Sequence, residues 1–116
     1  MSLPGPEQRF ELWMEEALAS ELAWGLESAG RLIRYRLQDG RLALPLWPSQ
    51  ESAALEAPDA SEQPRRIGLD ELLDGLLPAA AAQHEALAIY PLKGAAFIIE
   101  AQQLVDRLME AWDEDD

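Results

Sequence analysis

Arg31-Leu-Ile-Arg-Tyr-Arg-Leu37, then Gln38-Asp39-Gly40, then Arg41-Leu-Ala-Leu-Pro-Leu-Trp47 is the stretch on which the fold turns. Two alternating runs flank Asp-Gly, a dipeptide that accepts positive φ at both centre positions of a type I′ turn, so the stretch predicts a β-hairpin. A two-residue loop of Asp39 and Gly40 fixes its register. Leu37 then faces Leu42, Tyr35 faces Leu44 and Ile33 faces Leu46, three apolar couples on one face. The other face pairs Arg36 with Ala43, Arg34 with Pro45 and Leu32 with Trp47. A slip of one residue sends each set to the opposite face. Pro45 has no N–H to donate, so its ladder position should face outward or sit at an irregularity.

Working back from the hairpin, Ser28-Ala29-Gly30 is turn composition. Leu22, Trp24 and Leu26 alternate with Glu21, Ala23 and Gly25, which predicts a half-buried strand over 21–27. Residues 6–19 read as a helix with Pro6 at its first position and Gly5 as cap. Phe10, Trp13, Met14, Ala17 and Leu18 form its apolar stripe, read as core rather than a ligand box. Residues 1–5 are expected to be a flexible N-terminus.

Working forward, Ser49 is a good N-cap for a short helix through Leu55. Residues 57–66, with two prolines among polar side chains, predict an exposed loop. Leu69, Leu72, Leu73, Leu76 and Leu77 predict a helix over 69–77, bent or restarted at Pro78 and continuing to about Gln83. His84 then falls at a helix end. The apolar runs 86–90 and 95–99 predict two strands covered on both faces and central in the sheet. Ala101, Leu104, Val105, Leu108, Met109 and Trp112 place an apolar stripe on a last helix over 100–112. Residues 113–116 are an acidic tail, badly placed for the helix dipole and expected to fray. The order predicts an α+β fold: one domain over 1–116, with helices packed on an antiparallel or mixed sheet of about five strands.

The 116 residues carry 22 acidic and 9 basic side chains, a net charge of −13, with no cysteine and one histidine. That excludes a disulfide framework, a thiol nucleophile and a Cys-ligated zinc. It also excludes a metal site built on several histidines of one chain. The charge opposes phosphate backbones and anionic headgroups, so neither nucleic acid nor a membrane is an expected partner. No apolar stretch reaches the roughly 20 residues of a membrane helix. The opening residues lack the charged and apolar regions of a signal peptide, so the cytoplasm is the expected location. Charge is uneven: residues 31–41 carry four arginines against Asp39, between acidic flanks. The simplest reading pairs this island with acidic helices; the other reserves it for an anionic ligand or partner.

The hairpin register puts Arg34, Arg36 and Trp47 on one sheet face, a candidate anion or acidic-peptide site beside an aromatic floor. Ser49 lacks a Gly-x-Ser-x-Gly setting and has only His84 as a base, so capping explains it. His84 and Glu85 are chain neighbours, which rarely present their side chains to each other. The carboxylate pairs Glu15/Glu16 and Asp70/Asp74 match no calcium loop and read as solvated helix faces. Lys93-Gly94 has no glycine-rich phosphate cradle around it. No catalytic residue, metal ligand or cofactor is assigned.

Trp24-Gly25-Leu26, Asp39-Gly40, Leu44-Pro45-Leu46-Trp47-Pro48-Ser49, Ile67-Gly-Leu-Asp-Glu-Leu-Leu73 with Leu77-Pro78, and Ile89-Tyr-Pro91 with Gly94 and Ile98 resemble the bacterial family catalogued as domain of unknown function 2750, over roughly 9–109. The second half is also similar to the N-terminal domain of the enhanced-serine-sensitivity (SseB-type) proteins. Neither resemblance implies an activity. The leading expectation is a non-enzymatic interaction or regulatory domain with a protein partner. The alternatives are a small enzyme or binder of an anionic ligand using Arg34, Arg36 and Trp47, and an acidic decoy or immunity-type protein that occupies a basic partner surface. Self-association through a sheet edge or a helix is a further expectation.

Overall fold

Gly5 and Pro6 start the first helix as their chemistry suggests. In the computed structural model, which describes residues 5–57, 61–92 and 95–114, α1 spans Pro6–Ser20. The Gly5 N–H donates to Gln8 Oε1 at 3.1 Å. Phe10, Trp13, Met14 and Ala17 of the stripe are buried. Of the expected flexible N-terminus, residues 1–4 lie outside the described residues.

The fold is α+β, and the described residues form seven short strands in two sheets where about five in one were expected. In the first, β1 (Leu22–Ser28) lies between β2 (Arg31–Leu32) and β5 (Gln63–Gly68), all antiparallel. The second runs β3 (Tyr35–Arg36), β4 (Leu42–Leu46), β6 (Ala86–Leu92), β7 (Ala95–Glu100), with β4 and β6 parallel. The sheets meet where Trp24 and Trp47 exchange both backbone hydrogen bonds, at 3.0 and 2.7 Å. Gly25 sits at this junction, and a Cβ there would come within 2.9 Å of Leu32.

The arm before Asp39-Gly40 therefore serves two sheets. Residues 31–32 pair with β1, and the chain then crosses so that 35–36 pair with β4. The hairpin exists, but its register corrects the expected one. Tyr35 faces Ala43 and Arg36 faces Leu42, which leaves Gln38, Asp39 and Gly40 as a three-residue loop. Gly40 N–H donates to Leu37 C=O at 3.0 Å with φ 90 at Gly40. A turn closed by a left-handed glycine is the other common use of Asp-Gly in hairpins. The single-residue slip puts Leu44 and Leu46 in the main core, while Tyr35 and Leu37 pack on the opposite face. The loop with positive φ at both centre positions is instead Ala29-Gly30, at φ 54 and 79, between Ser28 and Arg31. Pro45 lies between the end of the β3 ladder and the Trp47 bridge, where it owes no donor to that edge.

Three further expectations are corrected. The loop expected over 57–66 contains strand: Gln63–Gly68 pairs with β1 from Glu27 to Leu22. Pro64 is tolerated because β5 is an edge strand; residues 58–60 lie outside the described residues. The second apolar strand, β7, is an edge rather than central, with Ile98 46% exposed. The helix expected over 69–77 runs without a break through α3 (Leu69–Glu71), a π-turn (Leu72–Leu76) and α4 (Leu77–Ala82). Pro78 has no N–H for the usual ladder, and the wider turn, closed by Leu77 N–H to Leu72 C=O, absorbs the mismatch. Leu69, Leu72, Leu77 and Ala80 are buried, while Leu73 and Leu76 lie at the margin.

Ser49 caps α2 (Gln50–Glu56), accepting from the Ser52 N–H at 3.1 Å. Helix α2 covers Leu26 and Trp47 through Ala53. Helix α4 ends in a Schellman motif: His84 takes φ 58, and Glu85 N–H donates to Ala80 C=O at 2.8 Å. Helix α5 spans Ala101–Glu114; of the acidic tail, residues 115–116 lie outside the described residues. None of the described helices is long and apolar enough to cross a membrane.

Strand β6 is irregular near its end, and the irregularity organises the molecule. Its register against β7 shifts between Ile89 and Leu92, and Tyr90 has φ 50. Arg9, 5% exposed on α1, donates from Nε to Tyr90 C=O at 3.0 Å and from Nη2 to Ala95 C=O at 2.8 Å. The Trp47 indole N–H donates to Pro91 C=O at 3.0 Å.

Two outcomes follow for stability in urea. Ala29→Asn, which tolerates the left-handed region better than alanine, is expected to raise the midpoint by a stabilisation of about 0.5–1 kcal/mol. Arg9→Gln takes the charged donor from the part-buried Tyr90 and Ala95 carbonyls and is expected to cost roughly 1–3 kcal/mol; an unchanged midpoint would contradict the clamp.

Candidate functional site

Arg34, Arg36 and Trp47 do not share a face. The three-residue loop and the crossing of the arm between sheets separate them. Trp47 is fully buried with Leu26 and Ala53. Arg34 donates from Nε to Glu85 Oε1 at 3.3 Å and from Nη1 to Leu32 C=O at 3.1 Å. Arg36 reaches Gly40 C=O at 3.2 Å across its own turn. The basic island is thus largely engaged at strand ends rather than with acidic helices. Arg41 adds a two-pronged pair with Glu100, at 2.8 and 2.7 Å. That hydrogen bonding, with the guanidinium charge, holds the Glu100 carboxyl below its usual range.

Arg36 nonetheless borders a concavity of about 500 Å³ on the face of the second sheet away from the main core. Tyr35, Leu37, Ala88, Ala96 and Ile98 line it together with the Glu56 side chain. Alanines at Ala43, Ala86 and Ala88 keep this face shallow. Burial, then the charges of Glu56 and Glu62, push the Tyr35 phenol above its ordinary value.

The second concavity lies on another side of the molecule. It is a cleft of about 270 Å³ between the end of α1, the α3 and π-turn segment, and the last turns of α5. Leu69, Leu73, Met109 and Trp112 supply apolar walls, and Glu21, Asp70 and Asp74 supply three carboxylates; no basic residue lines it. Met109 and Trp112 are the last members of the α5 apolar stripe. Ala101, Leu104 and Leu108 are buried, but Met109 is 50% and Trp112 41% exposed. The helix simply runs beyond the elements that could cover it.

Irregular backbone shapes this cleft. Glu21 caps α1 with φ 57, and its carbonyl accepts from Leu69 N–H at 2.9 Å, which fixes the start of α3 against the end of α1. The π-turn then sets Leu73 and Asp74 on the cleft side. Wide helical turns of this kind recur at functional sites. No residue of the cleft except the Asp70/Asp74 pair was singled out from sequence, and that pair was read as a solvated face. The available signal was a stripe whose last two members, Met109 and Trp112, immediately precede an acidic run.

The remaining candidates have structural roles. The Ser49 hydroxyl is engaged at the α2 cap with Ser52. His84 serves as the left-handed residue after α4. Among the described residues, no group of three or more acidic or histidine side chains converges as for a metal ion. Lys93 and Gly94 lie outside the described residues.

A family model described as protein of unknown function (DUF2750) matches residues 10–108. That match bears out the first of the two resemblances read from the sequence and is silent on the second. No curated protein matches the sequence.

The raised Tyr35 phenol is open to titration. Because the fold favours the neutral phenol, stability is expected to fall as pH climbs from 10.0 toward the folded value. Tyr35→Phe should flatten that fall and remove an absorbance step lying above 10.0; an identical titration in the variant would refute the assignment.

Proposed function

The chain belongs to that family, the DUF2750 proteins, and we propose that it is a bacterial cytoplasmic interaction domain, not an enzyme. Its cleft between α3 and α5 receives a cationic amphipathic segment of a protein partner. The observation that carries this reading is the pairing of exposed Met109 and Trp112 with three carboxylates and no cation in one concavity. Apolar side chains left in water favour burial against a partner, and aromatic and methionine side chains are over-represented where partners dock. The carboxylates favour a lysine or arginine beside the apolar face of that partner and disfavour acidic competitors. A net charge of −13 steers such a segment from a distance. An acidic decoy occupying a basic partner surface uses the same chemistry over a larger area.

A second reading rests on Arg36. It has N–H donors beyond the one given to Gly40, and it borders the concavity over Ala88 and Ala96. An anionic small ligand with an apolar body suits that place, held by Arg36 alone rather than by Arg36 with Arg34 and Trp47.

A synthetic helical peptide of alternating lysine and leucine faces, followed by tryptophan fluorescence, tests the first reading. Asp70→Asn with Asp74→Asn is expected to weaken binding roughly 2- to 30-fold, the range for two exposed ion pairs. Trp112→Ala should remove most of the fluorescence response. Glu11→Gln with Glu15→Gln deletes the same charge from α1, away from the cleft, and should have little effect. Equal losses in both pairs of variants would leave only a general charge effect and refute the site.

A further inference from the structure

We propose that a second copy of this chain pairs with β7, edge to edge and antiparallel, across a two-fold axis near Ile98. The inference is independent of the cleft, and it starts from the other edges. Strand β5 carries Pro64, Arg65 and Arg66, and β2 and β3 are two residues long. Proline, charge and brevity are the usual means of keeping sheet edges from pairing. Strand β7 has neither proline nor brevity, and its one charge, Glu100, closes its far end in the pair with Arg41. Ala95-Ala96-Phe97-Ile98-Ile99 is uncharged over five residues, and its ladder is with β6 alone.

The surroundings of β7 are shaped for a neighbour. Concavities of about 500, 540 and 340 Å³ border it, and Ile98 lines all three. One lies on the open sheet face; the other two lie beside the start of α1 and beside α5. A strand laid along β7 sends alternate side chains to both faces, which is the arrangement these concavities accept.

Charge then selects the occupant and its direction. Glu7 borders the concavity by α1, while Arg107, seated over the Phe10 ring, borders the one by α5 beside Asp106, which already accepts from Gln102. Antiparallel pairing about a two-fold axis brings Glu7 of each copy to Arg107 of the other, while the apolar middle of β7 meets itself. Parallel pairing needs an axis along the strands, which puts the helices of the two copies on opposite faces of the joined sheet, where Glu7 and Arg107 do not meet.

Sedimentation equilibrium of the full chain at about 0.15 M salt, where bulk repulsion is screened beyond roughly 8 Å, tests this. The mass is expected to approach twice 12.9 kDa as concentration rises. Ile98→Lys should leave a folded monomer, checked by circular dichroism. Glu7→Arg and Arg107→Glu should each weaken the dimer roughly 2- to 30-fold, and the two together should restore it. Amide exchange at 96–99 should slow with concentration in the natural sequence, a readout that needs no variant. A chain monomeric to millimolar concentration overturns the proposal. So does a dimer indifferent to Ile98→Lys, or charge reversals that only add.

Discussion

Two carbonyl groups freed by a bend in β6 hold the molecule together. Where the ladder to β7 slips, the Tyr90 and Pro91 carbonyls turn away from strand partners, and the donors they find come from far along the chain. Arg9 spans the β6–β7 connection by holding Tyr90 and Ala95 together. Trp47 holds Pro91 and, through its backbone, Trp24. One kink thus gathers α1, β1, β4, β6 and β7. Taking the donor from such a carbonyl is costly, most of all at Pro91, where the contact is buried.

That convergence explains which features were legible in the sequence. The faces of α1 and α5 follow from their periodicity alone, and both helices lie within a residue or two of where it puts them. The hairpin at Asp39-Gly40 was legible as a turn but not as a register, because the same dipeptide suits a two-residue loop and a left-handed glycine closing a three-residue one. Choosing between them depends on what Tyr35 packs against, and that is tertiary. Ala29 reads as an ordinary turn residue, yet it holds a positive φ that the β1–β2 pairing imposes. Residues 63–66 look like loop because proline and charge suit an edge strand equally well.

The functional surfaces were less legible than the fold. Periodicity tells which face of α5 is apolar but not how far its neighbours reach, so it does not show that Met109 and Trp112 stay exposed. Arg9 on a helix with four glutamates reads as one more solvated charge; its burial depends on carbonyls more than eighty residues away. The grouping of Arg34, Arg36 and Trp47 inherited the register and dissolved with it. The β7 edge and the acid-rimmed cleft share α5 but draw on different side chains of it, Arg107 against Met109 and Trp112.

The Arg9 contacts also bear on how the chain is made. During synthesis from the N-terminus, α1 is complete long before residues 90 and 95 leave the ribosome, and until then its guanidinium has no carbonyls to meet. Contacts of such sequence separation slow folding. The nascent first half therefore waits with Phe10 and Trp13 in water and the Arg9 guanidinium hydrated, and the seating of α1 on β6 and β7 belongs to the end of synthesis.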